Sequence, residues 1–423
     1  MLMVKVINAI IPLFFLLSCS GCESHCQTIR IENLTNETVQ DASFIIKASN
    51  LKIIKGKLPI IKDKDGKYVP CQFDDMNSDG TGDELVFVYS LPSYGSEELT
   101  IDWIEHENYP SFVARTHVRY GKLNSKGKIE SLSEDSHDKH NLPKGGDDYP
   151  YQHDGPAWEN DKIGFRHYFD GRNVNDIYGK ITSSIVLDNV GIGDNGKPAN
   201  TYQVLDWWGK DILNCGGSFG IGGIGAMVGD KLVRLGVSVL KNTDNVDMTT
   251  YKLLTTGPIR SVIHLGYYGW QIGNDKINID QTITIWAGQY GYENVIKTSN
   301  LPDKVHLITG IVNNFNTNPY YQQMINGYYL MATHDKQTND RKQILGMALA
   351  IDSTNYVRIF DAPNEGELTT TWCAELKPNT LKEYRYNCYA GWELTDTLFK
   401  SREYFINHIT RSIGQKYKLT ILP

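Results

Sequence analysis

The feature that most constrains the fold is a series of short strand-type segments, each ended by Gly, Asn, Asp or Pro. Beyond residue 150 they are rich in Val, Ile, Tyr and Trp, and they do not alternate with long helical patterns. A chain without such alternation does not build a doubly wound α/β fold, so the pattern predicts a large antiparallel β domain over 151–423. The segments are 163–169, 181–187, 232–240, 251–254, 260–268, 277–286, 305–311, 344–351 and 384–392.

The rest of the chain divides into smaller parts. Short half-apolar segments predict a small β-sandwich over 27–120, and the polar, charged stretch 121–150 predicts a linker or loop. One helix is predicted near the C-terminus, with Gly414 as its stop. Its mainly apolar face consists of Leu398, Arg402, Phe405, Ile406, Ile409 and Ile413.

The amino terminus predicts export from the cytoplasm. Lys5 precedes an apolar run over 6–17 that has the proportions of a signal peptide, here 1–18. Leu16-Leu17-Ser18-Cys19 resembles a bacterial lipobox, which predicts lipidation of Cys19 and a short tether over 19–26. The alternative is a plain secretory signal cleaved elsewhere. Because Ser20 is not Asp, a lipidated chain is expected at the outer membrane, facing the periplasm or the surface.

Seven cysteines bear on the redox state and on metal binding. Outside the cytoplasm, cysteines other than Cys19 can form disulfides, and Cys373 with Cys388 is the favoured pair. The folded part contains no C-x-x-C arrangement, so a metal site built from cysteines is not indicated.

The net charge and the glycine pattern argue against two classes of partner. A net charge of −7 argues against nucleic acid, which demands a basic face. The glycine-rich 216–225 is not followed by Lys-Ser or Lys-Thr and has no βαβ context, which argues against a nucleotide. It instead predicts backbone that passes close to a ligand or to another strand.

The stretch 151–170 concentrates site-type chemistry, since it combines aromatics, four carboxylates, an arginine and two histidines. Aromatic faces bind sugar rings, and Arg binds carboxylates, so the stretch predicts a carbohydrate site. Glu159 and Asp161 are candidate acid and base groups, His153 is a candidate base, and Arg166 is a candidate to neutralise a uronate. The alternative for Arg166 is a salt bridge to Glu159 or Asp161.

Further residues are candidates for contacts with the substrate. Four tryptophans are either sugar platforms or core residues: Trp158, Trp207, Trp208 and Trp392. Polar candidates are Tyr168, Asp206, Lys210, Arg260 and Glu393. Paired carboxylates suit glycoside hydrolysis, whereas His, Tyr and Arg together suit β-elimination beside a uronate; the sequence leaves both open.

An Asp-rich loop is a candidate Ca²⁺ site. The spacing of Asp75, Asn77, Asp79 and Asp83 resembles the front of a calcium loop, with Gly80 at the sharp turn. Val86 occupies the twelfth position, where such loops carry Glu. The alternative is a tight turn without an ion.

Five ordered motifs carry a resemblance that covers most of the mature chain. They are 75–80 (DMNSDG), 158–166 (WENDKIGFR), 176–180 (DIYGK), the glycine-rich 216–225, and 257–260 (GPIR). Together they resemble an uncharacterised family of Bacteroidota lipoproteins, classified as a domain of unknown function. The resemblance implies a galactose-mutarotase-like β-supersandwich and a place in polysaccharide utilisation, beside enzymes of uronic-acid-containing glycans. It implies no catalytic residues.

Three hypotheses follow from these observations. The first is an extracytoplasmic enzyme acting on uronic-acid-containing oligosaccharides. The second is a non-catalytic glycan-binding lipoprotein that uses the same aromatic and polar groups. The third is a structural role in a surface complex.

Overall fold

The computed structural model describes residues 26–142, 149–238 and 243–422. Antiparallel strands dominate, which confirms the predicted mainly β fold with a C-terminal helix. The early strands are β1 (Gln27–Asn33), β2 (Val39–Lys47), β3 (Lys57–Lys62), β4 (Tyr68–Val69), β5 (Cys71–Asp74), β6 (Glu84–Leu91), β7 (Ser96–Glu105), β8 (Thr116–Arg119), β9 (Gly121–Leu123), β10 (Ile129–Ser131) and β11 (Glu134–Asp138).

The later elements follow in chain order. They begin with β12 (Ala157–Asn160), β13 (Ile163–His167), β14 (Asn175–Lys180), β15 (Gly209–Asp211), β16 (Gly225–Val228), β17 (Lys231–Arg234), β18 (Val237–Ser238), β19 (Thr243–Asp244), β20 (Met248–Thr255), β21 (Arg260–Ile272) and β22 (Asp275–Trp286). The last are β23 (Gly291–Ser299), β24 (Val305–Val312), β25 (Tyr321–Ile325), β26 (Tyr328–Asp335), β27 (Leu345–Asp352), β28 (Tyr356–Asp361), β29 (Thr371–Leu376), β30 (Glu383–Trp392), α1 (Arg402–Gly414) and β31 (Tyr417–Ile421). Short 3₁₀ turns occupy Ala48–Asn50, His106–Asn108, Thr201–Gln203 and Thr397–Lys400.

The first strands form a smaller body of two packed sheets. One sheet has the order β31-β1-β7-β3-β4, and the other has the order β2-β6-β5. Ile29 and Ile31 alternate with the exposed Arg30 along β1, as expected for a strand with one buried face. The stacked rings of Phe44 and Phe87, 5.0 Å apart, help to fill the core between the sheets.

The last strand of the chain belongs to this smaller body. β31 pairs with β1 from Ile29 opposite Ile421 to Asn33 opposite Tyr417. At the other boundary, β8 pairs with β12 and so lies in the larger body. The predicted limits 27–120 and 151–423 therefore differ from the structure at both of these points, because strand pairing crosses them.

The larger body packs one broad sheet against two smaller ones. The broad sheet has the order β11-β20-β21-β22-β23-β30-β27-β26-β25. Facing it are the sheets β15-β14-β13-β12-β8 and β17-β16-β24-β29-β28. Alternate side chains from all three sheets fill one core, in which Trp158 and Phe165 pack against Tyr292.

The helix α1 covers the outer face of the broad sheet near its β25 edge. Ser401 caps it by accepting a hydrogen bond from the Tyr404 amide at 3.2 Å, and α1 ends at Gly414 as predicted. Phe405, Ile406 and Ile409 form its buried face. Leu398, which was predicted on this face, instead lies exposed in the preceding 3₁₀ turn.

Part of the segment predicted as a linker or loop over 121–150 is regular structure. It contains β9, β10 and β11, and β11 is the edge strand of the broad sheet. His137 is buried there against Phe169, with ring centroids 4.9 Å apart. The polar composition reflects an edge strand with one solvated face rather than an unstructured connection.

The predicted disulfide between Cys373 and Cys388 is wrong, since both cysteines are free and buried. They lie on strands of different sheets, β29 and β30. Cys388 points into the main core, whereas Cys373 points away from it, because its neighbour Ala374 occupies the core-facing position. Within the described residues, no helix is long and apolar enough to cross a membrane.

Candidate active site

The two faces of strand β13 have different surroundings, and the site lies on the face that points away from the core. Phe165 points into the main core, so Arg166 points to the opposite face of its sheet, next to Asp176 on β14. Segment 181–208 folds over this face and packs Tyr202 and Trp208 against Tyr178. Arg166 is consequently only 3% exposed.

Arg166 is the centre of a buried charge cluster. Its guanidinium donates hydrogen bonds to Asp176 at 2.6 Å, to Asp211 at 2.7 Å and to Asp154 at 3.0 Å. It also donates to the Tyr168 hydroxyl at 2.7 Å. Neither predicted alternative holds: Arg166 is not free to meet a uronate, and its salt-bridge partners are not Glu159 or Asp161. We call Arg166, Asp154, Asp176 and Asp211 the Arg166 cluster.

The Arg166 cluster contains more acids than cations. Burial raises the pKa of Asp211, and the nearby Asp176 carboxylate raises it further, to about 8. Burial also raises the pKa of Tyr168 well above its usual range. At neutral pH, Asp211 therefore holds a proton that it can donate, while Tyr168 stays a neutral phenol.

Asp211 and Tyr168 also line a cavity of about 560 Å³, a volume within the range of small-molecule sites. Three basic side chains share this lining, namely Arg172, Lys210 and Arg234. The full lining is Tyr168, Arg172, Val174, Gln203, Lys210, Asp211, Leu213, Asn214, Cys215, Gly216, Arg234, Asn339 and Asp340.

The two arginines of the cavity wall are held in different ways. Arg172 is half exposed, pairs with Asp170 at 2.6 Å and lies 3.9 Å from the centre of the Tyr168 ring. Arg234 is buried and donates to the backbone carbonyls of Ser218 and Arg172 at 3.1 and 3.2 Å. Its Nε is buried and has no hydrogen-bond partner among the described residues. An anion in the cavity would therefore meet a guanidinium whose position is fixed by backbone carbonyls.

A second carboxylate in the wall stays ionised. Asp340 accepts a hydrogen bond from Lys210 Nζ at 2.7 Å and from the backbone amide of Lys342 at 3.1 Å. Although partial burial acts in the opposite direction, these bonds lower the pKa of Asp340 to about 2. The cavity thus combines a protonated Asp211 with an ionised Asp340, a difference in pKa that suits an acid and a base.

Three of the four candidate tryptophans are core residues. Trp158 stacks near Phe165, Trp208 meets Tyr178 edge to face, and Trp392 packs against Gly179; each is at most 3% exposed. They cannot act as sugar platforms, because each indole is almost completely buried. Trp207, at 64% exposed, is the exception.

The three other catalytic candidates hold the fold together. Glu159 is fully buried, pairs with Lys180 and accepts the amides of Val186 and Leu187, so it anchors the covering segment 181–208. His153 lies beneath the same segment, and burial lowers its pKa to about 3. Asp161 pairs with Arg115, which also holds Asp41 of the smaller body.

The remaining polar candidates are dispersed. Arg260 is buried at the joint with the smaller body, where it binds Asp74 and Glu84; these three residues are the Arg260 cluster. Asp206 forms a turn with Gly209, and Glu393 follows β30; neither lines the cavity. Of the predicted residues, the structure brings Tyr168 and Lys210 to the cavity, with Arg166 directly behind them.

The carboxylates of the Asp-rich loop accept hydrogen bonds from backbone amides of the loop itself. Asp75 accepts the amides of Ser78 and Gly80, each at 2.7 Å, and Asp83 accepts the Met76 amide at 2.8 Å. The predicted ligands Asn77 and Asp79 likewise accept backbone amides. Within the described ranges, no three His, Cys, Asp or Glu side chains are placed to hold a metal ion. Through these hydrogen bonds the carboxylates stabilise the turn.

The glycine-rich segment provides the predicted close approach. Gly220 has φ +66°, and a Cβ there would lie 1.9 Å from the carbonyl oxygen of Asn175 on β14. Gly216, at the start of the same segment, lines the cavity. The segment therefore passes close to another strand and also contributes to the wall of the site.

Sequence reasoning missed most of the acids and cations of this site. Asp154, Asp176, Asp211, Arg172 and Arg234 come from four separate places in the chain. One signal was present: Asp176 lies in the motif 176–180, and the motif ending at Arg166 is close enough to form a hairpin with it. The register that places Arg166 opposite Asp176 could have suggested the pair.

Comparisons with known proteins give one strong match and several weak ones. A family model described as a domain of unknown function, DUF4861, matches residues 31–416. The uncharacterized protein P7 of Formosa agariphila is 25% identical over 231 residues, which are 51% of this chain and 49% of that protein. The chain thus spans about half the length of the curated relative it matches.

Two solved structures from Enterococcus faecalis are also similar. One is an alpha-mannosidase from strain V583, with a TM-score of 0.45 and 8% identity, over 94% of this chain and 46% of that chain. The other is a protein in glycosyl hydrolase family 38, with a TM-score of 0.49 and 9% identity, over 94% of this chain and 48% of that chain.

Proposed function

The chain belongs to the DUF4861 family, and we propose that it is an extracytoplasmic carbohydrate-processing protein that hydrolyses uronic-acid-containing oligosaccharides. The substrate occupies the cavity in front of the Arg166 cluster. Its uronate carboxylate faces the basic wall formed by Arg172, Arg234 and Lys210.

The observation that carries this proposal is a basic cavity in an acidic protein. The chain has a net charge of −7, yet three basic side chains line one cavity beside the neutral acid Asp211. Arg172 and Lys210 are each paired with a carboxylate, so an anion of limited size would bind by sharing these two cations and by contact with Arg234. Backbone carbonyls hold the Arg234 guanidinium in place, which gives the wall a fixed positive charge.

The carboxyl groups support hydrolysis. Asp211 donates its proton to the glycosidic oxygen as the bond to the anomeric carbon breaks, so the leaving sugar departs as an alcohol. Asp340 is the ionised partner, either as a base that takes a proton from attacking water or as a nucleophile at the anomeric carbon. In both routes one water molecule is consumed.

β-Elimination has weaker support at this site. It requires a base that removes the proton beside the uronate carboxylate. Tyr168 is protonated, because its pKa is raised well above the usual range, and Lys210 is paired with Asp340. None of the residues that line the cavity is a histidine.

Glycan binding without catalysis is the second candidate function. The observation that favours it is that both carboxyl groups are already engaged, Asp211 with Arg166 and Asp340 with Lys210. Retention of an anionic oligosaccharide needs only the basic wall. The binding role and the hydrolytic role therefore share a site and differ in product formation.

The location outside the cytoplasm rests on the amino-terminal sequence. The apolar run 6–17 and the lipobox-like Leu16-Leu17-Ser18-Cys19 support lipidation at Cys19 and attachment to the outer membrane. These residues lie outside the described part of the chain. Mass spectrometry of the mature amino terminus, with Cys19→Ser as the comparison, tests this step.

The test of the activity is incubation of the purified protein with defined uronide oligosaccharides, followed by mass analysis of the products. We expect products that together gain one water. Asp211→Asn should lower the rate by about 100- to 10,000-fold, the usual contribution of general acid catalysis, and leave binding intact. Asp102→Asn, which alters a surface ion pair of the smaller body, is the control.

Three outcomes separate the alternatives. An unsaturated product without added water indicates elimination and contradicts the hydrolytic proposal. Binding without any product favours the non-catalytic candidate. If Asp211→Asn is as active as the control variant, the role assigned to Asp211 is wrong.

A further inference from the structure

An exposed apolar rim lies beside the cavity. In the segment that leads into β15, Val204 is 74% exposed, Leu205 is 48% exposed and Trp207 is 64% exposed. An exposed tryptophan with apolar neighbours forgoes the stabilisation that burial would give, and such patches commonly mark binding surfaces. The rim therefore requires an explanation other than stability of the fold.

The backbone holds Trp207 outward. Asp206 and Gly209 exchange two backbone hydrogen bonds of 3.0 Å, and the Asp206 side chain accepts the Trp207 amide at 2.7 Å. The next residue, Trp208, points inward and packs on Tyr178. The turn thus anchors one indole in the core and presents the other to solvent in a fixed position.

The segment that carries the rim also contributes to the cavity wall. Gln203 lines the cavity at one end of this segment, and Lys210 lines it at the other end. Trp207 lies between these two lining residues in a tight turn, which keeps it close to the cavity. If the terminal residue of an oligosaccharide occupied the cavity, the rest of the oligosaccharide would extend along this rim.

We propose that Trp207 forms a second subsite, which holds the sugar next to the uronate, so that the ligand is an oligosaccharide of at least two residues. This inference rests on the proposed function. The occupant is a neutral sugar, because the exposed indole of Trp207, preceded in the chain by the exposed Val204 and Leu205, offers apolar contact to the C–H face of a pyranose ring. The anionic residue is directed to the basic cavity instead.

The test compares ligands of increasing length by titration calorimetry. The probes are glucuronate, a thio-linked disaccharide of glucuronate and a neutral sugar, and the corresponding thio-linked trisaccharide, so that no probe is hydrolysed during the titration. Wild-type protein should bind the disaccharide at least about 10-fold more tightly than glucuronate, as expected when an aromatic anchor is added. Trp207→Ala should remove that gain and leave the affinity for glucuronate unchanged, whereas Trp207→Phe should retain part of it.

Tyr94→Ala is the matched control, because Tyr94 is 71% exposed on the smaller body. Thermal melting of each variant verifies that it is folded. If Trp207→Ala keeps the full gain from the second sugar, the subsite inference is overturned while the proposed function stands. If wild-type protein binds none of the three probes, the proposed function and the subsite both fail.

Discussion

Two buried arginines, Arg166 and Arg260, show how similar local chemistry is put to different uses. Each is 3% exposed, each binds carboxylates, and each lies over an aromatic ring: Tyr168 at 4.7 Å in one case and Trp286 at 5.2 Å in the other. The Arg260 cluster joins the smaller body to the larger one through Asp74 and Glu84. The Arg166 cluster forms the back of a cavity.

The difference lies in the ratio of acids to cations. Arg260 binds two carboxylates, whereas Arg166 binds three, all within 3.0 Å. A third buried carboxylate cannot be compensated by one guanidinium, so Asp211 retains its proton near neutral pH. The buried arginine that binds two carboxylates therefore ties two parts of the fold together, whereas the one that binds three lies beside an acid that keeps its proton.

The largest expected effect comes from removing each arginine. Arg166→Ala and Arg260→Ala should each lower the free energy of unfolding by about 3–5 kcal/mol, because each leaves buried carboxylates without a cation. Denaturant unfolding measures this loss. Per folded molecule, only Arg166→Ala should weaken glycan binding; equal loss of binding in Arg260→Ala would remove the distinction between the clusters.

The second effect is the pH dependence of stability. Because the pKa of Asp211 is about 8 in the folded protein and near 4 when unfolded, the folded state holds one more proton between these values. The stability that this extra proton contributes is complete below pH 4 and is lost as the pH rises to 8. Unfolding measured across that range should show a loss of stability that Asp211→Asn reduces; an unchanged slope contradicts the assigned protonation.

The smallest expected effect on stability comes from replacing the most exposed carboxylate of each cluster. Asp154 and Glu84 have similar side-chain exposures, 19% and 23%. Asp154→Asn and Glu84→Gln should each lower stability by about 1–3 kcal/mol, because each weakens one hydrogen bond to a charged group while other carboxylates keep the arginine paired. Asp154→Asn should also lower the pKa of Asp211, since the charge of Asp154 helps to raise it. The pH–rate profile measures this shift, and Glu84→Gln should leave the profile in place.

Much of the fold could be predicted because strands and helices leave local patterns. The spacing of Phe405, Ile406 and Ile409 predicted α1, and Gly414 predicted its end. Strand pairing leaves no such local trace. The pairing of β31 with β1 joins residues almost 400 positions apart, and neither segment encodes its partner.

The candidate site was predicted only in part for a related reason. The strand predicted over 163–169 is present as β13, and it places Arg166 on the face away from the core. Segment 181–208 covers this face. The sequence predicted a strand over 181–187 at the start of that segment, but the structure has no strand there. Without the cover, Glu159, His153 and Trp208 look accessible; with it, they are interior.

The pairing of β1 with β31 also bears on how the chain is made. A ribosome delivers β1 almost 400 residues before residues 417–421, so the edge of β1 that faces β31 stays unpaired until those residues have been made. The smaller body cannot close before then. Truncated chains that end before residue 417 would expose that edge to other molecules, and they should aggregate rather than accumulate as a stable fragment.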